Sequence, residues 1–130
     1  MGRMIGILLI THGSLGESLI QCACHVMNRR PPQLLQLGVS GQDDPLDTLP
    51  LARQLLDMVD TGEGVLILSD ILGATPANTA AKLLEPGRIE GVAGVNLPML
   101  LRTITYRERN MEILVKKAVA GACEGVVHMK

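Results

Sequence analysis

Three short polar stretches hold the residues best suited to chemistry, and each follows directly on an apolar run: Thr11-His12-Gly13, Ser69-Asp70, and Asn96 after Val95. An imidazole and a carboxylate make a productive pair. A carboxylate that accepts a hydrogen bond from one ring nitrogen fixes the tautomer, frees the lone pair of the other nitrogen to attack, and stabilises positive charge on the ring. Asp70 is placed to orient His12 in this way. The attacked atom would be carbon or phosphorus. A turn after Gly13 and a helix starting near Thr75-Pro76 would both aim backbone N–H groups at the site, and Gly13, Gly73 and Ala74 keep side chains out of a close approach. Such groups attract phosphate oxygens, which favours phosphoryl over acyl chemistry.

Other chemistries fail on the letters. Gly13-Ser14-Leu15-Gly16 is not the G-x-G-x-x-G of a dinucleotide site, and no G-x-x-x-x-G-K-[ST] occurs. A receiver-like phosphoacceptor at Asp70 would need acidic residues after the first strand, where Thr11-His12 stand. No G-x-S-x-G elbow presents Ser14 or Ser69 as a hydrolase nucleophile.

The elements that must position these residues alternate. Met4 to Ile10 and Val65 to Leu68 are continuously apolar, as strands of a parallel sheet covered on both faces are. Gln33 to Leu37 is a shorter strand candidate, with a polar loop from Gly38 to Asp44, and Ile89 to Val95 is a fourth strand. Between and after them, helical spacing runs over Ser14–Asn28, Asp47–Asp60, Thr75–Leu84, Leu97–Arg107 and Met111–Cys123. Pro50 then has to lie in a first turn, and Thr75 reads as an N-cap hydroxyl before a proline at the first helical position. This alternation predicts one doubly wound α/β domain over residues 1–130 with a mostly parallel sheet. Strand carboxyl ends share one edge of such a sheet, so His12, Asp70 and Asn96 are expected at one crevice.

Composition narrows the function further. The 130 residues include one aromatic, Tyr106, so aliphatic side chains must fill the layers between sheet and helices. A net charge of −1 leaves no basic stripe for nucleic acid. Mean hydropathy is +0.28, yet no apolar run reaches the roughly 18 residues a membrane span needs. Three cysteines without a pairing framework point to a reducing cytoplasm.

Plainer roles stand beside these. His12 as a strand-end hydrogen bonder, Asp70 and Asn96 as turn or cap residues, and Thr75 as a cap are each ordinary. Cys22-Ala23-Cys24-His25 reads as helix packing rather than a metal site, because residues two apart do not share a helix face. Cys123 and His128 read as structural; Met27, Met58, Met99 and Met111 read as gap-fillers.

With these residues in view, the chain resembles the IIA component of the mannose family of the bacterial phosphoenolpyruvate-dependent sugar phosphotransferase system (PTS). The resemblance rests on Thr11-His12-Gly13, on Asp70-Ile71-Leu72-Gly73-Ala74-Thr75-Pro76-Ala77-Asn78 and on Gly94-Val95-Asn96-Leu97-Pro98-Met99-Leu100, in that order. Members usually carry Gly-Ser where Ala74-Thr75 stand here, a change that keeps the hydroxyl and removes backbone freedom. The resemblance implies a cytoplasmic homodimer whose four parallel strands are joined by an antiparallel edge strand, for which Val126 to His128 would serve. It implies that His12 takes a phosphoryl group through Nε2 from the carrier HPr while Asp70 holds Nδ1, then passes it to a IIB component. Thr75 and the helix behind it would bind phosphoryl oxygens, with Thr11 and Asn96 in support, and neither metal nor cofactor is implied. The chain stops after the IIA unit, so sugar-binding IIC and IID parts would be separate proteins and membrane contact indirect. A freestanding regulatory IIA, the phosphotransfer subunit of a dihydroxyacetone kinase and a small hydrolase using His12 and Asp70 are the rival readings.

Overall fold

The computed structural model describes residues 3–130. Its elements are β1 (Gly6–His12), α1 (Leu15–Met27), β2 (Leu34–Val39), α2 (Pro45–Val59), β3 (Val65–Ser69), α3 (Thr75–Ala81), β4 (Ile89–Ala93), α4 (Leu97–Tyr106) and α5 (Met111–Glu124). The strands form one sheet in the order β2-β1-β3-β4, every pair parallel. All of β3 and all of β1 except His12 are buried, as unbroken apolar runs require.

Because side chains alternate across a strand, each apolar run feeds two cores. Ile7 and Leu9 of β1 and Leu66 and Leu68 of β3 pack with α1, α4 and α5. Leu8, Ile10 and Ile67 pack with α2 and with Ala80 of α3. His12 therefore leaves β1 on the same side as Ile10, facing the layer that contains α3.

Boundaries differ from the sequence expectation for local reasons. β2 continues to Val39 instead of turning to loop at Gly38, which pairs with Thr11. α2 begins at Pro45, capped by the Asp44 carboxylate on the Leu46 N–H, so Pro50 falls in the second turn, not the first. α3 stops at Ala81 rather than Leu84, because Lys82, Leu83 and Leu84 donate to carbonyls three residues back and tighten the chain out of the helix. β4 ends at Ala93, where Gly94 takes φ +94° and its N–H joins that of Val95 on the Ser69 carbonyl. The expected antiparallel edge strand is not present: the Val126 N–H turns back to the Cys123 carbonyl, residues 126–130 join no strand, and beyond a single antiparallel bridge from Ile89 to Glu85 the outer edge of β4 has no neighbouring strand.

The amino ends of the strands are clamped by Arg107, directly after α4. Its Nε donates to the Ile5 carbonyl and its two Nη groups to the Pro32 and Gln33 carbonyls, tying the starts of β1 and β2 together. Burial, then the charge of Arg29, lowers this guanidinium to a pKa of about 10, against a small opposing effect of Glu108. Among the described residues no helix is long and apolar enough to cross a membrane.

Candidate active site

β1 delivers His12 to the carboxyl edge of the sheet, and β3, its neighbour there, delivers Asp70 one residue beyond its last ladder position. Asp70 Oδ2 accepts from the backbone N–H of His12 at 3.0 Å and lies 2.8 Å from His12 Nδ1. Asp70 Oδ1 accepts from the Ile71 N–H at 3.1 Å. A carboxylate so placed puts the ring proton on Nδ1 and leaves a lone pair on Nε2. The imidazole is 48% exposed and the carboxylate 12%, so the orienting group is shielded while the ring faces outward. Burial pulls the Asp70 carboxyl upward, but the backbone and side-chain hydrogen bonds from His12, with lesser help from its own backbone, bring it below the ordinary 3.8.

The backbone around His12 is shaped by glycine at two positions. Gly13 turns with φ +51°, and its N–H donates to the Val39 carbonyl at 3.1 Å. Gly38 is the counterpart that sequence reasoning missed: a Cβ there would lie 2.1 Å from the Gly13 carbonyl oxygen. A glycine inside a strand is the available signal, since it marks a close backbone approach.

The remaining expected site residues divide. Gly73 takes φ +87° with open space before it, and Ala74 and Thr75 follow on the same loop, at the same edge as His12. Thr75 is not the N-cap; Ala74 occupies that position in an extended conformation, no side chain caps α3, and Thr75 is its first residue. Thr11 is fully buried and accepts the Gly16 N–H at 2.8 Å, fixing the start of α1 beneath the turn. Asn96 does not reach His12. Its Oδ1 accepts the Met99 N–H at 2.9 Å and its Nδ2 donates to the Ala122 carbonyl at 3.3 Å, so it caps α4 and ties it to α5. Cys22, His25, Cys123 and His128 are exposed. Among the described residues no three His, Cys, Asp or Glu side chains gather in range of a metal ion.

An oriented imidazole with a free nitrogen has the chemistry to accept and release a transferable group. The family model described as EIIA-man, PTS system fructose IIA component, matches residues 6–119, from the first residue of β1 into α5, and so spans both His12 and Asp70. The chain belongs to this family. As a IIA component it is 32% identical over 129 residues to the PTS system mannose-specific EIIAB component of Escherichia coli K12, a match that takes in 97% of this chain and 40% of that protein. The IIA chain thus spans well under half the length of that curated relative. It is also 45% identical over 57 residues to the PTS system fructose-specific EIIA component of Bacillus subtilis 168, covering 43% of this chain and 39% of that one. In fold it superposes on the mannose/sorbose specific IIA subunit from Enterococcus faecalis with a TM-score of 0.86, at 19% identity over 98% of this chain and 96% of that one. A Streptococcus agalactiae EIIA component gives 0.83 at 22% identity, covering 96% and 97%.

Proposed function

We propose that this IIA chain is a phosphocarrier in which His12 Nε2 accepts a phosphoryl group from phospho-HPr and donates it to a IIB component. The observation that carries the reading is the Asp70 clamp on Nδ1, reached from 58 residues away, on a ring that stays half-exposed. In the forward step the Nε2 lone pair forms a bond to phosphorus while the donor's P–N bond breaks, its electron pair returning to the donor imidazole. Positive charge grows on the His12 ring, and Asp70 balances it through the Nδ1–H. Gly13, Gly73, Ala74 and Thr75 form the wall that receives the phosphoryl oxygens. A phosphoramidate is already activated, so no metal or nucleotide enters this step.

In this reading residues 1–130 act as one carrier unit in the cytoplasm, and contact with the membrane runs only through IIC and IID partners. The unit works as a homodimer. The outer edge of β4, bridged only at Ile89, and the exposed apolar Val126, Val127 and Met129 support this, because an edge without a neighbouring strand and an apolar tail both gain by being covered. Incubation with phosphoenolpyruvate, enzyme I and HPr, followed by intact mass, tests the carrier reading. An acid-labile, base-stable adduct of one phosphoryl group is expected in the wild type and none in His12→Ala; a stable adduct on His12→Ala overturns the assignment.

A further inference from the structure

The sheet face that packs on α3 thins out along β3 and β4. Cross-strand partners there run Val65 with Ile89, Ile67 with Gly91 and Ser69 with Ala93, so two branched side chains give way to one and then to none. From α3 the facing residues are Ala77, Ala80 and Ala81, again small. Val65, Ile67, Ile89 and Leu83 close the core further down, but above them the small residues leave a cleft of about 110 Å³. Ile67, Ser69 and Ala80 are buried at its floor, and the exposed Leu72 and Leu84 form its mouth.

One lining side chain is polar. Ser69 is 3% exposed, and its hydroxyl has no hydrogen-bond partner. A buried hydroxyl left alone costs folding free energy, and alanine would avoid that cost. Water is a poor tenant here, because it needs two to four polar partners and the other lining side chains are apolar. An apolar body with one polar atom suits both the walls and the hydroxyl. Apolar space of about 150 Å³ takes benzene, so this cleft takes a body of about four carbons. We infer that it is a binding site for a compact uncharged amphiphile, a branched body of that size whose hydroxyl or carbonyl is held by Ser69 Oγ. The ligand is either free or the end of a larger molecule that leaves between Leu72 and Leu84. Asp70 follows Ser69 directly, so the ligand lies behind the loop that carries the clamp on His12, while His12 itself does not line the cleft.

The test is a titration of the full chain with isobutanol, a branched alcohol of the stated size, followed by amide NMR. Saturable shifts are expected at Ser69, Leu72, Ala77, Ala81, Gly91 and Ala93. Isobutylamine, which has the same body and a charged head at neutral pH, should bind about tenfold more weakly or less, because an unpaired ammonium is costly to bury. Ser69→Ala should weaken isobutanol by about three- to tenfold, the loss of one neutral hydrogen bond, without lowering Tm, since the hydroxyl has no partner in the fold. Ala77→Leu fills the cleft and should abolish binding, and His12→Ala should bind as the wild type does. No saturable shift in the wild type, undiminished binding in Ser69→Ala or Ala77→Leu, or a lower Tm in Ser69→Ala overturns the site. Loss of binding in His12→Ala would put the probe in the His12 crevice, which overturns the site and leaves the carrier reading standing. Shifts at these amides that follow protein concentration, and vanish when residues 126–130 are removed, assign the cleft to a second copy and also overturn the inference.

Discussion

His12 and Arg107 are both cationic or cation-forming side chains at the ends of strands, one at each edge of the sheet, and their surroundings are opposite. Arg107 is 4% exposed and gives three of its five N–H donors to main-chain carbonyls, so it holds strand starts in place and is shielded from any ligand. His12 has one nitrogen committed to Asp70 and the other open. What separates a structural polar residue from a reactive one is thus the balance of satisfied and unsatisfied positions. A buried structural group is held by hydrogen bonds within the fold, and a group that reacts must keep one position free and accessible.

Substitutions at the two edges should separate their effects. His12→Ala is expected to abolish the phosphoryl adduct altogether while changing the free energy of unfolding by about 1 kcal/mol or less, since a half-exposed ring and one hydrogen bond are lost. Equal losses of folding and of transfer would erase the contrast. Arg107→Ala should do the reverse. Leaving the Ile5 and Pro32 carbonyls without the guanidinium, and the Gln33 carbonyl with only the Ile7 N–H, is expected to cost about 2–4 kcal/mol in urea unfolding, while the folded fraction transfers phosphate at the wild-type rate per molecule.

A smaller effect falls within the site itself. Asp70→Ala should slow adduct formation by about a hundredfold, because the ring loses its fixed tautomer and orientation without losing the nucleophile. An unchanged rate would reduce Asp70 to a turn residue.

The mildest test is pH. The Asp70 carboxyl titrates below 3.8 in the folded chain, so the unfolded state binds the proton first and the carboxylate stabilises the fold above that value. That contribution is lost as the pH falls from about 4 through the lowered folded value. Wild type should therefore lose more stability over this acid range than Asp70→Asn, as seen in urea midpoints measured at successive pH values; parallel curves would show that the clamp does not alter the titration.

The elements that sequence reading recovers best are those with the most redundant signal. β1 and β3 are read from unbroken apolar runs, and the polar residues that end them, His12 and Asp70, from the abrupt change of character. Errors gather where one residue meets a tertiary constraint. Gly38 lies within a strand rather than a loop because the Gly13 carbonyl occupies the space a Cβ would take. Thr75 has the letters of an N-cap, yet Ala74 takes that place, and α3 closes early through bonds to carbonyls three residues back. The tail at Val126 to His128 has the letters of a strand, but within one chain its backbone pairs with none.

From its letters alone the chain determined that polar residues would follow apolar strands, and parallel winding then put those residues at one edge. It did not determine which of them would meet. Only the strand order decided that: β3 lies beside β1, with Ser69 level with Ile10, so Asp70 falls against His12. β4 is one strand further out, and Asn96 at its end turns to α4 and α5 instead. Hydrogen bonds reach about 3 Å and neighbouring strands are nearly 5 Å apart, so one place in the order of the sheet separates a partner of His12 from a helix cap.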